Sequence, residues 1–234
     1  IYKYSKYPML SFLIFFSLNF YAWSFIVLRH AVALGFIIWS YDYIREKKFV
    51  KFLLILIIAA LFHKSSLTFL LAYPIANQKH VNKKIIPIIL LFIIPVILIF
   101  GNDIMKIIFT FINAGDYLIY KTRESQMGIM MFLIYHIFLI FASFFIKKDS
   151  EKENFNIYLF GVLIVAFSLM LAEFFRIGMF YTIFMVLLIP NIICEIKSRE
   201  TKQFINLLII LICLGYSYVS FNSIGLIPYI SNLF

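Results

Sequence analysis

Three ionisable side chains lie inside or at the edge of long apolar runs of the sequence: Arg29, His63 and Arg176. An ionisable group within a membrane span costs about 2.5–3.5 kcal/mol by insertion measurements, so such groups are functional candidates by default. A guanidinium offers a planar fork of donors that matches phosphate oxygens. An imidazole exchanges a proton with a hydroxyl near neutral pH. Together they indicate a site for an anionic, phosphate-containing substrate.

Each of these residues also has a structural interpretation. Arg29 lies about one turn into its apolar run, where a guanidinium can instead snorkel to the headgroups. His63 precedes Ser65 and Ser66, either of which would cap a helix in a purely structural turn. Arg176 follows Glu173 by three residues, and a helical turn would pair them. That pair is either charge neutralisation or a poised anion site.

Other polar residues in the apolar runs carry weaker signals. His30 cannot share the helical face of Arg29 and is assigned no role, and His136 is interpreted as a buried core residue. Cys194 and Cys213 are interpreted as small core residues. The sequence has no metal-ligand cluster, Walker loop, dinucleotide turn or serine triad. No metal or other cofactor is therefore expected.

The composition predicts the element that must position these residues, a membrane helix. Of 234 residues, 64% are hydrophobic and 14% are charged, against about 45–50% and about 25% in soluble domains. A helix needs about 20 apolar residues to cross the hydrocarbon core. We predict an all-α, polytopic transmembrane bundle forming a single domain over 1–234. Its full spans, about seven, are expected at 8–21, 25–44, 85–100, 129–146, 155–175, 177–194 and 204–221.

The formal net charge of +10 resides in short loops between these spans, so it indicates topology and not a nucleic-acid partner. Residues 45–51 and 79–84 are both basic and are predicted to be cytoplasmic. The chain between them must then cross an even number of times. We therefore predict a short or re-entrant helical hairpin around 52–76, with its tip at His63. The main external loop is expected at 101–128. Arg29, His63 and Arg176 then all approach the external side.

The same residues resemble a known family. The run Leu28-Arg29-His30-Ala31-Val32-Ala33, followed by Phe62-His63-Lys64-Ser65, is similar to the EpsG family of bacterial exopolysaccharide proteins, which includes Wzy-type O-antigen and capsule polymerases. A later arginine with aromatic residues and a span ending in Ile-Pro are also typical. Here they are Arg176, Phe180-Tyr181 and Ile189-Pro190. The family carries further spans before the arginine segment, so the chain is expected to lack N-terminal spans or to be a short member.

The resemblance implies a glycosyltransferase that needs neither metal nor nucleotide. It would join oligosaccharide repeat units carried on undecaprenyl pyrophosphate at the outer face of the bacterial cytoplasmic (inner) membrane, as a multi-pass protein. The implied partners are the lipid-linked oligosaccharide, membrane lipids, and the chain-length regulator and flippase of the same pathway. The implied roles are catalysis by His63 or Glu173, pyrophosphate binding by Arg29 and Arg176, and additional substrate contacts from Lys64, Ser65 and Tyr181.

Three other functions use similar residues. A lipid-linked oligosaccharide flippase needs cations for pyrophosphate but should present them along a path open to both membrane faces, often with repeated halves. The sequence shows no repeat. A membrane acyltransferase that modifies the glycan would also use an intramembrane histidine. A non-enzymatic assembly subunit of an export complex is the third alternative.

Overall fold

The computed structural model describes residues 1–78, 88, 92, 100, 103, 126–146, 151–169, 171 and 173–224. Within these ranges the secondary structure is helical and contains no strand, as the sequence predicts. The helices are α1 (Pro8–Ser17), α2 (Phe20–Ile26), α3 (Leu28–Arg45), α4 (Phe49–Phe62), a 3₁₀ helix (Lys64–Leu71), α5 (Ala72–Ala76), α6 (Gln126–Phe145), α7 (Lys152–Phe167), α8 (Glu173–Thr182), α9 (Met185–Cys194) and α10 (Arg199–Ile224).

Two helical stretches of the described chain are long and apolar enough to cross a membrane. They cover Glu173–Cys194 and Arg199–Asn222, with 22 and 24 residues. The pair α1 and α2, bent by 50° near Asn19, would make a third. The prediction of about seven full spans is therefore not confirmed. The predicted span at 85–100 and most of the predicted loop at 101–128 lie outside the described residues.

The two stretches differ in their surroundings. The window within Glu173–Cys194 is 89% buried inside the protein, whereas the one within Arg199–Asn222 is only 33% buried. A helix that is buried all round is a central helix. The stretch of α8 and α9 is therefore the centre of the bundle, and α10 lies at its periphery.

The predicted hairpin around 52–76 is present, and its tip is at His63. The ring centroids of Phe49, at the start of α4, and Tyr73, in α5, are 5.0 Å apart, so the two arms run antiparallel. At 1.5 Å per residue α4 is about 21 Å long. The 3₁₀ helix rises about 2.0 Å per residue, so it and α5 return over about 23 Å. Both arms are shorter than a hydrocarbon core of about 30 Å.

The turn before α8 differs from the prediction. The sequence places it at Phe175–Arg176, but α7 ends at Phe167 and α8 begins at Glu173. An acidic residue in the first turn of a helix is stabilised by the helix dipole, which suits Glu173 as the first residue of α8. Arg176 is thus held by a helix and is not part of a turn.

Two glycines allow α7 and α8 to pack closely. A Cβ atom on Gly161 would lie 2.7 Å from the Cβ of Tyr181 and 2.8 Å from the backbone nitrogen of Thr182. A Cβ on Gly178 would meet a methyl group of Val165. The close approach of α8 to α7 therefore requires glycine at these two positions.

Replacing Gly161 with alanine should lower the free energy of unfolding by about 1–3 kcal/mol, because the added methyl collides with backbone and Cβ atoms that cannot rotate away. Gly35 has open space around it and is the matched control. Gly35→Ala should leave stability unchanged or raise it by up to about 1 kcal/mol. Unfolding in detergent measures both, and equal behaviour of the two variants would contradict the close packing.

The end of the bundle opposite the tip of the hairpin holds the basic segments. Arg45 pairs with Glu153 at 3.6 Å, and Lys6 pairs with Glu195 at 2.8 Å. Buried Asn191 donates hydrogen bonds to Glu151 and to the carbonyl oxygen of Tyr4, at 2.9 Å each. Burial raises the pKa of the Glu151 carboxyl. These contacts join the amino-terminal segment to α9, and join α3 and α9 to the start of α7, at the end that the basic loops predict to be cytoplasmic.

Candidate functional site

Two histidines and a phenylalanine meet at the end of the bundle away from the basic segments. His30 lies in the first turn of α3, His63 follows α4 at the hairpin tip, and Phe180 lies in α8. The ring centroid of His30 is 4.4 Å from that of Phe180, in stacked geometry, and 5.2 Å from that of His63, in edge geometry. Three elements that are distant in sequence thus converge on one cluster.

His30 joins α3 to α8 by a hydrogen bond as well. Its Nε2 atom is 2.9 Å from the carbonyl oxygen of Arg176. A carbonyl oxygen only accepts, so Nε2 carries the proton and donates it. The side chain is buried, with 4% of its surface exposed. His30 therefore holds the backbone of α8 at the position of Arg176.

Arg176 and Glu173 form the predicted ion pair across the first turn of α8. The Nη1 atom of Arg176 is 3.1 Å from the Oε2 atom of Glu173. Both side chains are partly exposed. His30, whose ring is 5.2 Å from that of His63, donates to the backbone oxygen of Arg176, so the arginine lies at the same end of the bundle as the hairpin tip.

The remaining tip residues differ in their surroundings. Lys64 is exposed and next to His63. The hydroxyl oxygens of Ser65 and Ser66 are buried and have no hydrogen-bond partner within the described chain. Tyr181 is buried, and its hydroxyl donates to the carbonyl oxygen of Thr68. Tyr181 therefore fastens the 3₁₀ helix to α8, and its single proton is already engaged.

Arg29 is not in the cluster. Its side chain is exposed, and within the described residues it makes no hydrogen bond or ion pair. Arg29 and His30 lie on different faces of α3, as the sequence predicts, but the sequence predicts a functional role for Arg29 and none for His30. His30 lies on the buried face of α3, whose positions recur every three and four residues: His30, Ala33, Leu34, Ile37, Ser40, Tyr41 and Ile44.

The arrangement can bind an anion and exchange a proton. Lys64 follows His63 directly, and Arg176 lies at the same end of the bundle, so both supply positive charge near this site. The ring nitrogens of His63 make no hydrogen bond within the described chain, so they remain available to a substrate. In the same ranges no group of three or more His, Cys, Asp or Glu residues converges to hold a metal ion.

Comparison with known proteins agrees with the resemblance carried by these residues. The sequence model of the EpsG family matches residues 1–231, nearly the whole chain. No curated protein and no solved structure matches the chain. The match includes every element of the cluster, from α3 through α8. This membrane protein therefore belongs to the EpsG family, a family of Wzy-like polymerases of exopolysaccharide biosynthesis.

Proposed function

We propose that the protein is a polysaccharide polymerase of the bacterial cytoplasmic membrane. It joins oligosaccharide repeat units carried on undecaprenyl pyrophosphate at the outer face. The observation that carries this proposal is the convergence of His63 and Arg176 on His30, at the end of the bundle away from the basic segments: the rings of His30 and His63 are 5.2 Å apart, and His30 donates to the backbone oxygen of Arg176. A general base and a phosphate-binding cation are the two groups that such a transfer requires.

In the proposed reaction a hydroxyl of the acceptor glycan attacks the anomeric carbon of the donor glycan. The new bond joins this oxygen to that carbon, and the bond from the carbon to the pyrophosphate oxygen breaks. The hydroxyl proton passes to His63, and lipid pyrophosphate leaves with the bonding electrons. Arg176 neutralises the charge that develops on the leaving group, and Arg29 contributes from the start of α3.

Two residues are candidates for the base, and their surroundings differ. Glu173 is already paired with Arg176 at 3.1 Å, so the guanidinium occupies one of its carboxylate oxygens. His63 contacts the rings of His30 and Phe180. Within the described chain its ring nitrogens have no hydrogen-bond partner. We therefore propose His63 as the base and Glu173 as the residue that orients Arg176.

Purified protein in liposomes with a lipid-linked repeat unit tests this function. We expect a ladder of longer glycans to form without added nucleotide or metal. Transfer of the repeat unit across the bilayer without chain growth would instead identify a flippase. Attachment of an acyl group at constant glycan length would identify an acyltransferase. Either result would refute the polymerase proposal.

Replacing Arg29 with alanine should lower the initial rate of chain growth about tenfold, since one charge-assisted contact to pyrophosphate is lost. Arg29→Lys should restore part of it, because a lysine keeps the charge but not the bidentate fork. Arg199→Ala is the matched control, since Arg199 is exposed at the start of α10. A normal rate and a normal glycan length in Arg29→Ala would contradict the proposed contact between Arg29 and the pyrophosphate.

A further inference from the structure

The amino end of the 3₁₀ helix presents donors without acceptors. The helix has eight residues and begins at Lys64, and His63 precedes it in extended conformation without a side-chain cap. The first N–H groups of a helix have no partner inside it. The nearby carbonyl oxygens are already used: that of His63 accepts from the Ser66 amide at 2.9 Å, and that of Ser65 accepts from the Thr68 hydroxyl at 2.7 Å. Such an end favours an anion.

Two buried hydroxyls give a second, independent indication. Ser66 has 0% of its surface exposed, and within the described chain neither its hydroxyl nor that of Ser65 has a partner. Leaving a buried donor unsatisfied destabilises a fold. Three other buried serines, Ser40, Ser143 and Ser168, avoid this by donating to the carbonyl oxygen three residues earlier, at 2.6–2.7 Å, whereas Ser17 lacks a partner as the tip serines do. The tip serines therefore hold their donors ready for another group.

Ser66 also lies on the side of the hairpin that faces α8. In a 3₁₀ helix side chains three residues apart share a face, so Ser66 follows His63 and precedes Phe69. The ring of Phe69 is 5.1 Å from that of Tyr181 in α8. The face of Ser66 is therefore the one that packs on α8, whose first turn carries Arg176.

We propose that the amino end of the 3₁₀ helix is the cradle for the donor pyrophosphate. One phosphate accepts hydrogen bonds from the hydroxyls of Ser65 and Ser66 and from the amides of Lys64 and Ser65, and Arg176 faces it from α8. This proposal rests on the proposed function and adds to it the groups that hold the leaving group. His63 then stands directly beside the bond that breaks, because it is the residue that precedes the cradle.

The test is binding of undecaprenyl pyrophosphate without a glycan to the whole chain in nanodiscs, followed by native mass spectrometry. Ser66→Ala should weaken binding about tenfold, the loss of one hydrogen bond to a charged group. Its thermal stability should stay unchanged or rise, because the substitution removes an unsatisfied buried donor. Ser40→Ala is the control, since its hydroxyl is satisfied within α3, and it should bind like the wild-type chain.

Three outcomes would overturn the cradle. These are equal affinity of Ser66→Ala and the wild-type chain, absence of binding by the wild-type chain, and displacement of the probe by phosphatidylglycerol at comparable concentration. The last result would identify a site for phospholipid headgroups. Failure of the proposed function has a different signature, because it is the absence of glycan ladders, irrespective of how the pyrophosphate lipid binds.

Discussion

Replacing His63 with alanine should reduce glycan chain growth by about 10²–10⁴-fold, the usual contribution of a positioned general base. The imidazole lies at the hairpin tip, partly exposed, and its ring is 5.2 Å from that of His30. The neighbouring imidazole cannot take its place, since His30 is buried and donates its proton to the Arg176 carbonyl. The measurement is the initial rate of ladder formation from a lipid-linked repeat unit at equal protein content.

Two variants separate a proton-transfer role from a structural one. His63→Gln keeps a polar side chain of similar reach but has no basic nitrogen, so it should be as inactive as His63→Ala. Glu173→Gln removes the competing candidate base and should retain most of the activity. If Glu173→Gln were inactive and His63→Gln active, the assignment of the base would have to be reversed.

Replacing Arg176 with alanine should lower the rate of chain growth by about 10²–10³-fold, as removal of one preorganised group that stabilises a leaving charge does elsewhere. Arg176→Lys should recover only part of this loss, because an ammonium offers a point charge and no planar fork. The His30 bond goes to the backbone oxygen of residue 176, so it survives both substitutions. Rates at saturating donor, measured beside unfolding in detergent, test this prediction.

The small contribution of the Glu173–Arg176 ion pair to stability makes the result of this experiment interpretable. Glu173 is partly exposed, and the pair spans one helical turn, so breaking it should change stability by only about 0.2–1 kcal/mol. An inactive Arg176→Ala variant with normal unfolding therefore indicates a loss of chemistry. If activity fell only in proportion to the amount of folded protein, Arg176 would have no part in the proposed mechanism.

Several features follow from the sequence because charge in a membrane is expensive. Basic residues confined to short loops predict which helix ends lie together, and the ion pairs of Lys6 and Arg45 join those ends in the structure. The break at His63 between two basic loops predicts a hairpin, and α4 and the 3₁₀ helix form it. The spacing of Glu173 and Arg176 predicts their ion pair. Each of these inferences depends only on local polarity and on chain length.

Tertiary structure alone decided which residues face the site. In a soluble helix the polar face identifies the outside, but in a membrane both lipid and core are apolar, so the sequence pattern carries little information on rotation. A rotation of one residue, about 100° at 3.6 residues per turn, puts His30 inside and leaves Arg29 exposed. Packing of Gly161 against α8 likewise sets the position of Arg176, which no charge in the sequence specifies. The sequence by itself predicted the end of the bundle at which the candidate site lies and named His63, Glu173 and Arg176, whereas only side-chain packing added His30 and left Arg29 outside the cluster.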